Sequence, residues 1–88
     1  MQKPVKWNEL KNKRLKQVRG VSFQEIVKAE LIMIRENQAR VNQRVFLYHY
    51  RNYIWVVLYI ESEQEIFLKT LYPSRKYTKL FKRKVSEA

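Results

Sequence analysis

The segment 72–84, YPSRKYTKLFKRK, contains residues whose types and spacing suit phosphate binding. Six of its thirteen residues are Lys or Arg, and Arg75 and Lys76 directly follow Pro73 and Ser74. Proline cannot donate to a strand ladder and serine is a common helix N-cap, so this order predicts a strand end followed by a helix start. The free N–H groups of such a start and the adjacent cations can hold phosphate oxygens. The alternative is a capped surface helix that is basic but binds nothing.

The net charge of +11 is concentrated at the two ends of the chain. Residues 1–19 carry seven Lys or Arg and one Glu, and residues 69–88 do the same, so each segment has a net charge of +6. Residues 20–68 have a net charge of −1. If both ends pack on the same side of the centre, their fields add into one surface that attracts polyanions. The alternative is that the charge serves only solubility, but solubility does not require the charge to be concentrated at the two ends of the chain.

Length and composition indicate one domain over residues 1–88 that folds without disulfides or a structural metal. A chain of this size cannot bury two separate cores, and 45% of its residues are hydrophobic. It has no cysteine and one histidine, His49, which argues against disulfides and a zinc site. No apolar run approaches the roughly 20 residues of a membrane span, and the start lacks the apolar stretch of a signal peptide. We therefore expect a cytoplasmic protein with no membrane contact, no metal and no cofactor.

Helix-capping signals predict two helices in the first third of the chain. Asn8 can cap a helix over residues 9–18, and the only glycine of the sequence follows as a left-handed stop. Ser22 and Glu25 have the spacing of a capping box. They predict a second helix over residues 23–31.

The remainder has strand chemistry until the basic segment. The strand-like segments are 44–50 (RVFLYHY), 53–60 (YIWVVLYI) and 65–72 (EIFLKTLY), and a shorter fourth strand at 32–35 (IMIR) is compatible with the pattern. The eight apolar residues at 53–60 predict a central strand covered on both faces, and Arg51-Asn52 fits a hairpin turn. Tyr77, Leu80, Phe81 and Val85 share one face at helical spacing. The sequence thus predicts an α+β fold with two N-terminal helices, a three- to four-stranded antiparallel sheet and a C-terminal helix.

Several of these motifs, in this order, resemble the BrnT-type toxins of bacterial toxin–antitoxin pairs. Trp7-Asn8, Lys11 and the corner 20–25 (GVSFQE) are similar to the opening of that family, which has Trp-Asp or Trp-Asn, a Lys three residues on, and a His-Gly-Val-Ser-Phe-x-Glu corner. The segment 59–61 (YIE) is similar to a family strand that ends in Glu. The segment 66–79 (IFLKTLYPSRKYTK) is similar to the closing strand and basic helix start of one branch. The resemblance spans most of the chain.

The resemblance implies a RelE-like fold, RNA cleavage that arrests translation, and neutralisation by a co-expressed antitoxin. The charge of +6 at each end opposes self-association and favours an antitoxin with an acidic segment. Arg19 stands where the family has its corner histidine, so a role as proton carrier does not transfer, although Arg19 can bind phosphate. The polar loop 36–42 is shorter than its equivalents in this branch.

Cleavage of RNA requires three things of the protein. The 2′-hydroxyl must lose a proton, the phosphorane must be stabilised, and the leaving oxygen must gain a proton. We predict a metal-independent endoribonuclease. Its candidate catalytic residues are Glu61 as base, Arg75 and Lys76 as positive charges, and Tyr77 as proton donor. Its candidate RNA- or phosphate-binding residues are Trp7, Lys11, Arg19 and Lys79. We expect Lys11 and Arg19 to approach Arg75 and Lys76 from the first helix and to complete one phosphate site.

Each candidate also has a structural alternative. Glu61 can be a turn carboxylate or an ion-pair partner, Tyr77 can belong to the core, and Trp7 can anchor the first helix on the sheet. His49 alternates with Leu47 on one strand face, which favours a histidine buried in the sheet. Because the sequence contains no clear acid–base pair, a non-catalytic RNA- or DNA-binding module remains the alternative function.

Overall fold

In the computed structural model, which describes residues 3–36 and 44–81, the chain forms five strands and three helices. In chain order these are β1 (Val5–Trp7), α1 (Glu9–Arg19), α2 (Phe23–Ile26), β2 (Glu30–Glu36), β3 (Arg44–Tyr50), β4 (Tyr53–Glu61), β5 (Ile66–Pro73) and α3 (Arg75–Leu80). The sheet order is β1-β5-β4-β3-β2, and all pairs are antiparallel except β1–β5. The predicted α+β fold and the central position of β4 are confirmed.

Two predicted features differ from the structure. The second helix ends at Ile26 rather than at residue 31, because Glu30 and Leu31 pair with β3 instead. The sheet has five strands in the described residues rather than three or four, because β1 pairs in parallel with the start of β5. A three-residue strand has too few positions to show a period, and its partner lies about sixty residues away.

The predicted caps and the predicted hairpin turn are confirmed. Asn8 Oδ1 accepts from the Lys11 N–H at 3.0 Å, and Gly20 has the left-handed φ of 79°. The capping box around α2 is present in both directions. Arg51 and Asn52 have φ values of 53° and 60°, which is the pattern of a two-residue type I′ turn built without glycine.

Helices cover both faces of the sheet. We call face A the side on which Trp55, Val57 and Tyr59 of β4 lie, and face B the side on which Ile54 and Val56 lie. On face A the first two helices pack through Leu15, Phe23 and Ile26. On face B, α3 packs through Tyr77 and Phe81. Each fully buried aliphatic or aromatic side chain contributes roughly 1.5–3 kcal/mol to stability.

A buried amide joins α1 to α2. Asn12 is 5% exposed, and its Oδ1 accepts from the Phe23 N–H at 2.7 Å. Its Nδ2 donates to Glu9 at 3.0 Å and to Gln24 at 2.6 Å. Since every polar atom of this side chain has a partner, the amide fixes the angle between the two helices without a desolvation penalty.

Among the described residues, none of the helices has the length and apolar content that a membrane span requires.

Glu25 connects α2 to α1 and to the β3–β4 hairpin. Its carboxylate lies 2.7 Å from Lys16 Nζ and 3.5 Å from Arg51 Nη2, and it accepts from the Tyr50 hydroxyl at 3.1 Å. The hydrogen bond from Lys16, followed by that from the Ser22 N–H, lowers the pKa of Glu25 from 4.5 to about 2. Folding therefore favours the ionised form of this group.

We predict that Glu25→Gln lowers the free energy of unfolding at neutral pH by about 1 kcal/mol. The folded-state pKa is depressed, so the contribution of the carboxylate is present above pH 4.5 and is lost as the pH falls towards 2. Urea unfolding at pH 7, 4 and 2.5 measures this: the difference between wild type and variant should shrink with pH. The matched control is Glu63→Gln, since Glu63 is exposed and has no ion pair in the described part of the chain. A difference that is independent of pH would contradict the prediction.

Candidate nucleic-acid interface

An open cavity of about 460 Å³ lies between the start of α1 and β5. It is lined by Asn8, Leu10, Lys11, Arg14, Phe67 and Lys69. Only one residue separates β1 from α1, and β1 pairs with the first three residues of β5. The first turns of α1 therefore lie beside the next part of β5. Lys11 and Arg14 are three residues apart, which places them on the same side of the helix. We call this site the cationic cavity.

Among the described residues, the lining of the cationic cavity includes three positive side chains and no carboxylate. Lys11, Arg14 and Lys69 are exposed, and none of them has an ion-pair partner within residues 3–36 and 44–81. Neighbouring like charges repel, by roughly 1 kcal/mol for a pair 4 Å apart in water. A bound phosphate would replace this repulsion by attraction, so the cavity is suited to an anion.

Phe67 and a strand irregularity complete the cavity. Leu68 pairs with Tyr59 and Thr70 pairs with Leu58, so Lys69 is an extra residue in β5. Such a bulge turns a side chain away from the regular alternation of the strand. Phe67 is partly exposed beside the cations. Aromatic rings among cations typically bind single-stranded nucleic acid, because a stacked base contributes roughly 1–3 kcal/mol.

The residues that directly follow β5 form a capped helix over Arg75–Leu80, as predicted. Ser74 Oγ accepts from the Tyr77 N–H at 3.1 Å, and the exposed side chains of α3 include Arg75, Lys76 and Lys79. Tyr77 is partly buried and packs on face B. Its ring centroid lies 5.6 Å from the Arg35 guanidinium carbon and 5.8 Å from Lys76 Nζ. Val85, which the sequence placed on the same helix face, lies outside the described residues.

Glu61 lies at a second open cavity of about 650 Å³ at the end of β4. Its lining residues are Lys3, Arg44, Tyr59, Ile60, Glu61, Ser62 and Glu63. Glu61 Oε2 is 2.8 Å from Lys3 Nζ, and Oε1 is 3.7 Å from Arg44 Nη1. The hydrogen bond and charge of Lys3, assisted by Arg44, lower the pKa of Glu61. The carboxylate is an ion-pair partner, and its lowered pKa makes it a weaker base.

The expectation that Lys11 and Arg19 join Arg75 and Lys76 in one site is wrong. The first helix packs on face A and α3 packs on face B, so the sheet lies between them. Both faces of β4 are apolar, so other elements must pack on each of them. The first two helices pack on face A, and α3 packs on face B. The basic segments 1–19 and 69–88 do meet, but they meet at Lys69 in the cationic cavity.

Glu61 and α3 are also far apart. The Ser74 N–H donates to the Ile54 carbonyl at 2.9 Å, which places the start of α3 beside the beginning of β4. Glu61 ends β4 seven residues later. At about 3.3 Å per residue this separation is roughly 23 Å. Glu61 therefore cannot act on a phosphate held by Arg75 and Lys76.

The remaining predicted residues occupy structural or peripheral positions. Arg19 ends α1 eight residues after Lys11, which is roughly 12 Å along the helix axis. The Trp7 ring, in β1, lies 5.7 Å from that of Phe23 in α2, so Trp7 packs on the second helix. His49 lies within β3 with Nδ1 3.5 Å from the Glu30 carboxylate. No three potential metal ligands among His, Cys, Asp and Glu form a cluster in the described ranges.

Of the residues that line the cationic cavity, only Lys11 was predicted as a site residue from the sequence, and the two other cations and the aromatic ring were missed. Arg14 had a usable signal, namely its spacing of three from Lys11 on a predicted helix. Phe67 and Lys69 had none, because their exposure depends on a bulge and on the position of β1. These two features follow from pairing between segments that are distant in the sequence.

Comparison with known proteins supports the fold. No protein-family model matches the sequence, and no curated protein sequence is significantly similar to it. The crystal structure of the Brucella abortus ribonuclease toxin BrnT superposes on this chain with a TM-score of 0.55 and 10% sequence identity. The match covers 83% of this chain and 97% of the toxin. The chain thus has a BrnT-like fold, as the motifs around Trp7, Gly20 and Glu61 indicated.

Proposed function

We propose that this protein is a ribonuclease toxin of a type II toxin–antitoxin pair, which cleaves RNA in the cytoplasm and thereby arrests translation. The observation that carries the proposal is the cationic cavity, on a fold shared with a ribonuclease toxin. Because one fold can host several functions, the proposal depends on the chemistry of this chain's own residues.

The cationic cavity can do two things for RNA cleavage. Lys11, Arg14 and Lys69 place three donors around one phosphate, and they stabilise the extra negative charge that develops in the phosphorane. Phe67 stacks on an unpaired base next to that phosphate and so positions the backbone. Positive charge also favours ionisation of the neighbouring 2′-hydroxyl.

The α3 cations are the second candidate for the phosphate site. Arg75 and Lys76 keep the role predicted from the sequence, and Lys79 extends the same positive surface. The observation in their favour is the Tyr77 ring, which lies next to both Arg35 and Lys76 on face B. A cation over an aromatic ring is held in place and stays available to an anion.

A protein antitoxin is the proposed partner. An acidic segment that covers the cationic cavity would neutralise the repulsion among its three cations and exclude RNA. This interaction should weaken as salt concentration rises, since exposed charges are screened over about 8 Å at physiological ionic strength.

A non-catalytic RNA-binding module is the alternative function. It is favoured because no lining residue of the cationic cavity, among the residues that the structure describes, is a carboxylate or histidine that could accept the proton, and Glu61 is held in ion pairs. The two functions differ in whether RNA is broken or only bound.

We predict that Lys11→Ala/Lys69→Ala abolishes growth arrest when the chain is expressed inducibly without a partner. Two of the three charges that hold the phosphate are then missing, whereas the melting temperature should be unchanged or slightly raised, because repulsion is relieved. Growth curves and the integrity of cellular RNA measure the effect. The matched control is Lys13→Ala/Lys28→Ala, which removes the same charge from exposed positions outside the cavity.

Each other outcome of this experiment has a definite meaning. A cavity variant that remains fully toxic would contradict the cavity as the active site. If Arg75→Ala/Lys76→Ala is inactive instead, the phosphate site lies on α3. Intact RNA in cells expressing the wild type, together with RNA binding by the purified chain, would establish the binding module.

A further prediction concerns Glu61. We expect Glu61→Gln to retain RNA cleavage, because this carboxylate is held by Lys3 and Arg44. Removal of a general base instead lowers the rate by roughly 10²–10⁴-fold. Single-turnover cleavage of an RNA oligonucleotide by purified protein distinguishes the two, with Glu63→Gln from the same cavity as control. A loss in that range by a folded variant would show that Glu61 is the base after all.

A further inference from the structure

β2 is an edge strand with exposed apolar side chains on both faces. The order β1-β5-β4-β3-β2 leaves one side of β2 without a neighbour in the described part of the chain. Leu31, Met33 and Ile34 are 45%, 38% and 52% exposed. An edge strand of seven residues with such side chains is a template for pairing with another strand.

Because of a bulge, the order in which the side chains of β2 point to face A or face B is the same when read from either end of the strand. The register with β3 places Glu30, Met33 and Arg35 on face B, and it places Leu31 and Ile34 on face A. The register shifts between Leu31 and Met33. In an unbroken strand, residues three or five positions apart would lie on opposite faces. Here Leu31 and Ile34 share a face, and so do Glu30 and Arg35.

This pattern makes β2 complementary to itself in antiparallel pairing. If a two-fold axis passes through the bulge at Ile32-Met33, Leu31 lies opposite Ile34 of the second copy, on the same face. Glu30 likewise lies opposite Arg35 of the second copy. Each contact occurs twice, so that the pairing joins two apolar pairs and two pairs of opposite charge.

The excess charge at the cationic cavity lies too far from β2 to oppose this contact. The excess of +6 at each end opposes association in general, but residues 20–68, which include β2, have a net charge of −1. β5, which contributes to the cationic cavity, is three strand spacings from β2, or about 14 Å. That distance exceeds the screening length of about 8 Å at physiological ionic strength.

We propose that two copies of this chain associate through β2, antiparallel, to form one continuous sheet across the two-fold axis. The partner that binds this edge is a second copy of the chain, because β2 itself contains both residues of each contacting pair. An acidic or basic partner segment would match only one of the two charges, Glu30 or Arg35. The proposal concerns the edge opposite β1 and does not depend on the ribonuclease function.

Charge reversal tests the pairing. In sedimentation equilibrium of the purified full chain, wild type should approach twice its mass of 10.9 kDa at micromolar concentrations. Glu30→Arg and Arg35→Glu each place like charges opposite one another twice. Each should weaken self-association by about ten-fold or more. The double variant Glu30→Arg/Arg35→Glu should restore it.

Mixing the two single variants gives the sharpest result. In a mixed pair both contacts are again between opposite charges, so equal amounts of Glu30→Arg and Arg35→Glu should associate although neither does so alone. This rescue cannot arise if the substitutions only damage folding. A wild type that stays monomeric at these concentrations would overturn the proposal, as would single variants that associate like wild type or a mixture that does not associate.

Discussion

Burial of β4 on both faces is the constraint on which the rest of this structure depends. Trp55, Val57 and Tyr59 lie on one face, and Ile54 and Val56 lie on the other, all between 0% and 7% exposed. A strand of this kind must be covered twice, and in the described residues the helices that cover it lie before β2 and after β5. The first two helices cover face A and the last helix covers face B. This packing requirement separates the cations of α1 from those of α3.

Packing fixes the positions of the charged side chains, and these positions determine which charges are paired and which are not. Within residues 3–36 and 44–81, the two basic segments meet where α1 lies beside the middle of β5, and there the bulge at Lys69 adds a third cation to those of Lys11 and Arg14. At the end of β4, where Glu61 pairs with Ile66 three residues before Lys69, the Glu61 carboxylate is held by Lys3 and Arg44. Positive charge is therefore unpaired at one cavity and compensated at the other, so only the first is suited to an incoming phosphate.

Irregularities of the strands determine which side chains are accessible. One bulge turns Lys69 outward in β5, and another brings Leu31 and Ile34 onto one face of β2. In each case an extra residue changes the side-chain alternation without ending the strand. The candidate RNA surface and the self-complementary edge both arise in this way, at opposite sides of the sheet.

The sequence by itself determined the local structure. Asn8, Gly20, Ser22 and Ser74 set the helix boundaries through their own side chains or backbone, and the apolar run of β4 identified the central strand. It also determined the excess of cations at both ends, and its motifs indicated a BrnT-like fold. Only the tertiary structure decided that α2 ends at Ile26, that β1 joins the sheet, and that Lys69 rather than Arg75 meets Lys11. These outcomes depend on pairing between segments far apart in the chain. The strands adopt the register of lowest free energy, and no local sequence pattern contains the energies of the alternative registers.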